Sequence, residues 1–212
     1  MGLAETQQVL AQLYTNTEFR ERFFANPQAV GVEFGLSDDE VQQLAEVSSQ
    51  EVNIFANSLK WKRLGEIREL LPRTAKALGK NFNTLFWRYA ETYLPTGIKK
   101  HRDDAIAFAN FMIKVAQNEN LEPAWIGDLV RYEQTWLLAY QPGICLKFCW
   151  LRYAVHRDFT AKPTLAIWWR LSGRSQLRHI ILPHAEEDTC VGGFPDLSKV
   201  SVAQSRGEYQ EL

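Results

Sequence analysis

Cysteine is scarce in this chain: three residues in 212, at positions 145, 149 and 190, none in C-x-x-C spacing. That excludes a disulfide framework and a four-cysteine zinc site, and it points to a reducing compartment. Long apolar runs are missing as well. The longest, such as Trp136 to Tyr140, fall far short of the 18 or so residues that a membrane span needs. The first residues, Met1 to Thr6, hold neither a basic nor an apolar stretch, so no secretory signal is expected. Neither G-x-S-x-G, G-x-x-x-x-G-K-S/T, H-E-x-x-H nor G-x-G-x-x-G occurs, so no catalytic or phosphate-binding motif is visible. What remains is an ordinary globular composition, 46% apolar and 23% charged, enriched in aromatic residues with seven Trp. Disorder as the dominant state and low-complexity architectures are thereby excluded.

The first 140 residues have helical periodicity. Val9, Leu10, Leu13 and Tyr14 form one stripe, and Thr17 is placed to cap a short helix carrying Phe19, Phe23 and Phe24. Ser37–Glu40 and Ser48–Glu51 both read as capping boxes, a hydroxyl three residues ahead of a glutamate that reaches back. They predict a short helix over about 38–47 and a longer one over about 49–71. Pro72 suits a first helical position and Gly79 the position after a helix end. Further helices are expected from Phe82 to Tyr93, from Asp103 to about Gln117, and from Pro123 to about Tyr140. Gln141-Pro142-Gly143 breaks the last of these, and the pattern beyond it changes. Ile144–Val155, Thr164–Leu171 and Leu177–Leu182 are rich in β-branched and aromatic residues, and Ser172-Gly173-Arg174-Ser175 marks a hairpin turn. On the middle strand Leu165, Ile167, Trp169 and Leu171 share a face, which is expected to be the buried one, with Leu177 and Ile181 joining it across the turn. Leu165, Ile167 and Trp169 are expected to bury against Tyr132, Trp136 and Tyr140 of the last helix.

The formal net charge of −1 conceals segregation. By residue count, 1–59 carries −7, 60–102 carries +8, 103–140 carries −4, 141–182 carries +6 and the remainder −4. In the basic block, Lys62–Glu66 and Glu69–Arg73 can pair locally at i,i+4. Lys60, Arg63 and Arg68 fall within an arc of roughly 140° on an ideal helix, with Trp61 beside them. Either the acidic helices of 1–59 neutralise this block internally, or Lys60, Trp61, Arg63 and Arg68 face a partner. An acidic peptide fits better than a nucleic acid, because no nucleic-acid motif occurs and the pI is about 6.4.

Cys145 and Cys149 lie about 13 Å apart along one strand and cannot share a metal ion. Cys149 and His179 are expected in packing roles. His184 with Glu186, Glu187, Asp188 and Cys190 matches no metal-site spacing and reads as a solvated acidic stretch. No catalytic residue, metal or cofactor is therefore assigned.

Phe23-Phe24-Ala25-Asn26-Pro27-Gln28-Ala29-Val30 with Glu33-Phe34-Gly35-Leu36-Ser37, followed by Lys62–Ile67 and Leu70-Leu71-Pro72, resembles the opening of uncharacterised bacterial helical domains. The order of a helical half, a helix like Asp128–Glu133 and a strand like Leu165–Arg170 is similar to the partner-protein family of methanobactin-type multinuclear-iron peptide-modifying enzymes. That resemblance implies a non-catalytic module that binds a peptide and an enzyme partner, and it carries no functional residue over.

The expected fold is α+β, mostly helical in its N-terminal two-thirds and ending in a small antiparallel sheet. Residues 1–140 form the helical domain, 141–185 a β subdomain packed on the last helix, and 186–212 a polar tail. Val191, Phe194 and Leu197 are the tail residues able to staple it to the sheet. The expected function is a cytoplasmic accessory module that binds a protein or peptide through the basic helix surface or a free strand edge. The alternatives are nucleic-acid binding through 60–102 and an enzyme with an unrecognised site.

Overall fold

The computed structural model describes residues 3–95, 100–119, 121–171 and 176–183. The architecture is the expected α+β one: helices through the first two-thirds, then three antiparallel strands. Two compact units are present, one built from 1–67 with 83–101, the other from 68–82 with 102–212.

In the first unit, α1 (Leu3–Thr15), α2 (Thr17–Ala25), α3 (Pro27–Phe34) and α4 (Asp38–Glu46) surround a core of Val9, Leu13, Phe19, Phe23, Val30, Val41 and Leu44. Each start is made locally. The capping box at Ser37 and Glu40 is complete, with Glu40 Oε2 accepting from the Ser37 N–H at 2.8 Å. Thr17 does not cap α2. Asn16 does, its Oδ1 accepting from the Phe19 N–H at 3.0 Å, because the carboxamide one residue earlier already reaches the open amide. Gly31 permits the close approach of α3 and α4, since a Cβ there would overlap the Val41 side chain. Gly35 ends α3 at φ 71°, the left-handed cap that glycine adopts without strain. The long helix α5 (Ser49–Leu70) follows, started by Ser48 Oγ accepting from the amides of Gln50 and Glu51.

In the second unit, α6 (Pro72–Leu78) ends at Gly79, as the sequence predicts. The next helix, α7 (Lys80–Ala90), begins in this unit and continues in the first. Helix α8 (Lys100–Asn118) starts one turn earlier than the acidic pair at 103–104 suggested. Helix α9 (Ile126–Ala139) starts a turn after Pro123. It is the centre of the unit, lying against α6, β1 and β2. The sheet has the order β1 (Leu146–Leu151), β2 (Thr164–Arg170), β3 (Leu177–Pro183), with Phe148 opposite Ile167 and Ile167 opposite Ile180. The break at 141–143 falls inside this unit, and the 186–212 tail lies outside the described residues.

The middle strand faces the opposite way from the sequence expectation. Thr164, Ala166 and Trp168 are buried under α9, while Leu165, Ile167 and Trp169 are half-buried on the far side. Both alternating sets are apolar, so alternation alone could not choose between them. The helix chose. Trp168 packs at 5.5 Å from Tyr132 and 5.6 Å from Trp136, and small Ala166 lets the helix approach. Leu177 and Ile181 do join the buried cluster, in company with Trp168 rather than Trp169. Tyr140 is exposed.

Two buried carboxylates fix α9 in place. Glu133 accepts from the Arg73 amide at 2.9 Å and the Thr74 amide at 2.8 Å. These are first-turn amides of α6, whose own cap residue, Leu71, has no side-chain oxygen to offer. Asp128 accepts from the amides of Arg152 at 2.6 Å and Tyr153 at 3.0 Å, which secures the chain as it leaves β1. Glu133→Ala leaves one buried and one partly buried amide without an acceptor, so it should lower stability by about 2–4 kcal/mol in urea unfolding. A loss under about 0.5 kcal/mol, the scale of an ordinary surface change, would reject this role.

Candidate functional site

The four residues of the basic face are distributed over both units. Lys60 is half-buried and lines a cleft of about 550 Å³ with Asn16, Thr17 and Tyr93. Trp61 is 54% exposed and meets Trp87 edge-on at 5.0 Å. Arg63 turns inward. Its guanidinium donates to the Tyr93 carbonyl at 3.2 Å and lies 5.6 Å from the Phe86 ring and 6.0 Å from the Tyr89 ring. These three belong to the first unit; Arg68 is exposed and belongs to the second. The Arg63 contacts are internal to its unit and anchor α5 to the 83–93 segment.

The sheet offers a second surface. Strand β1 lies at one end of the strand order, and the Arg170 amide donates to the Cys145 carbonyl at 2.9 Å. In an antiparallel ladder that bond sets the alternation: residues 147, 149 and 151 turn their backbone groups to β2, while Leu146 and Phe148 turn theirs to the outer edge. The outer face of the same strand is apolar. Leu146, Phe148 and Trp150 are 59%, 71% and 49% exposed. Across the sheet they continue in rows, Leu146 beside Trp169 and Arg178, Phe148 beside Ile167 and Ile180, Trp150 beside Leu165 and Leu182.

Residues 45–114 match the family model described as SCO6045-like, C-terminal domain. No curated protein and no solved structure matches the chain. The matched segment runs from the end of α4 into α8 and contains Lys60, Trp61, Arg63 and Arg68; the sheet lies outside it. Among the described residues no group of three or more His, Cys, Asp and Glu could hold a metal ion, and no helix is long and apolar enough to cross a membrane.

Cys145 is exposed and Cys149 is buried, where burial pushes its thiol up. His179 closes an aromatic cluster, 4.7 Å from Trp168, 5.0 Å from Trp136 and 5.7 Å from Tyr132. Among the described residues its Nε2 meets no hydrogen-bond partner. Desolvation, with a smaller effect of His156, lowers its pKa to about 4. Sequence reasoning placed His179 in packing but missed Asp128 and Glu133, which carry no signal beyond an acid inside a helix.

The histidine gives the fold a pH dependence. Unfolded, His179 takes a proton near pH 6.5; folded, it stays neutral to about pH 4. Acid therefore favours the unfolded chain, and stability should fall as pH drops from 6.5 towards 4, by at most about 3 kcal/mol from this group. His179→Leu should flatten that part of the stability profile measured by thermal melts across pH. An equally steep profile in the variant would assign the effect elsewhere.

Proposed function

We propose that this protein is a non-catalytic accessory module that holds a protein or peptide partner, and that the partner is an extended segment adding to the β1 edge. The observation that carries this reading is the coincidence on one strand of outward backbone groups at Leu146 and Phe148 with an exposed apolar row. Edge addition supplies affinity through main-chain hydrogen bonds and selectivity through alternate side chains. The basic surroundings, +6 over residues 141–182, favour an acidic segment and speed its encounter at low salt. Lys60, Trp61, Arg63 and Arg68 are the second contact region of the proposal. The inward engagement of Arg63 with Tyr93 and Phe86 makes the edge the first choice. The resemblance to the partner proteins of methanobactin-type enzymes agrees with a peptide-holding role, in a bacterial cytoplasm.

The edge itself can be tested without disturbing the sheet. The Phe148 amide points away from β2, so Phe148→Pro removes one outward donor and leaves the β1–β2 ladder intact, as proline is tolerated on edge strands. Phe148→Ala removes the side chain and keeps the donor. Photocrosslinked partner complexes from cells should survive Phe148→Ala in part and disappear with Phe148→Pro, while the circular-dichroism spectra of both variants match the parent. Equal capture by both variants would remove the edge from the binding surface.

A further inference from the structure

The outer face of the sheet is a surface distinct from its edge: a second protein could pair with β1 and leave the three apolar rows untouched. With strands about 4.8 Å apart and about 3.4 Å per residue, three strands of this length have a flat footprint of roughly 300 Å². A single length of polypeptide fits the area.

We propose that the outer face of the sheet is the docking surface for this chain's own residues 184–212, seated through Val191, Phe194 and Leu197. This goes beyond the edge reading: the segment would cover the side chains of Leu146 and Phe148 and leave their outward backbone groups to a partner strand. Four observations converge. The segment leaves the sheet directly from β3, whose Pro183 pairs with Thr164. From there Phe148 lies two strands across and three residues along, about 14 Å away, which eight extended residues more than span. The segment carries −4, with Glu186, Glu187, Asp188 and Asp196 flanking its apolar residues, and the β region carries +6 with Arg178 on the outer face itself. Tethering holds the segment at an effective concentration in the millimolar range, ahead of any free competitor of equal chemistry.

The test uses the full chain with a photoreactive benzoylphenylalanine in place of Phe148, at low micromolar concentration. Irradiation and peptide mapping should give a crosslink from position 148 to residues 190–202 within the same chain, identified by mixing light and heavy isotope-labelled protein. Phe194→Asp with Leu197→Asp in that chain should lower the crosslink yield at least about tenfold, since both changes remove buried apolar area, while the helical circular-dichroism signal is unchanged. Should the Phe148 replacement not fold, the same group at Leu146, on the same face, repeats the measurement. Crosslinks between light and heavy chains would overturn the proposal in favour of a second copy. Crosslinks that miss 184–212, or a yield untouched by the double substitution, would overturn it as well.

Discussion

The hydrogen bonds that Glu133 accepts from the first turn of α6 are the constraint on which the second unit depends. Helix α6 is seven residues long and has no cap of its own, so in isolation it would be marginal at best. A carboxylate from α9, sixty positions away in sequence, supplies the missing acceptor. Burial raises the Glu133 carboxyl above the usual carboxylate range, and the Arg73 and Thr74 amides oppose that rise. The Arg73 side chain completes the arrangement, donating to the Val155 carbonyl and resting 5.7 Å from the Tyr132 ring. With Asp128 holding the amides of 152 and 153, one helix organises both the helix before it and the strand after it. The sheet is thus positioned by polar contacts at its margin as much as by the apolar contacts of Trp168.

Much of this was legible in the sequence. The capping signals at 37 and 48, the start at Pro72 and the ending at Gly79 are local chemistry, and local chemistry survives folding. The class and element order followed from the change of periodicity near residue 143. What the sequence left open were decisions made by distant partners. The buried face of β2 depends on α9, because Leu165–Ile167–Trp169 and Ala166–Trp168 are both plausible core sets. Arg63 offered a similar ambiguity. Its position on the helix wheel placed it with Lys60 and Arg68, yet aromatic rings from 86–89 and the Tyr93 carbonyl drew it inward.

The two sides of the sheet show different solutions to apolar excess. The inner side buries Trp168 among Tyr132, Trp136 and His179, accepting a histidine that must stay neutral. On the outer side Leu146, Phe148 and Trp150 are 59%, 71% and 49% exposed. Apolar side chains on both sides are typical of a strand layer meant to be covered twice, as in sheets sandwiched between helices. Here α9 supplies the cover on the inner side.

The outer edge of β1 carries a cost of its own. An edge strand with outward amides, aromatic side chains and no proline is a template on which any extended chain can align, including β1 of another molecule. Lys147 is the one charge on Leu146–Leu151, and its side chain is half-buried. Crowding and high expression therefore press on Leu146–Leu151 first, and a partner strand of the kind proposed would also keep the protein from assembling into sheets with itself.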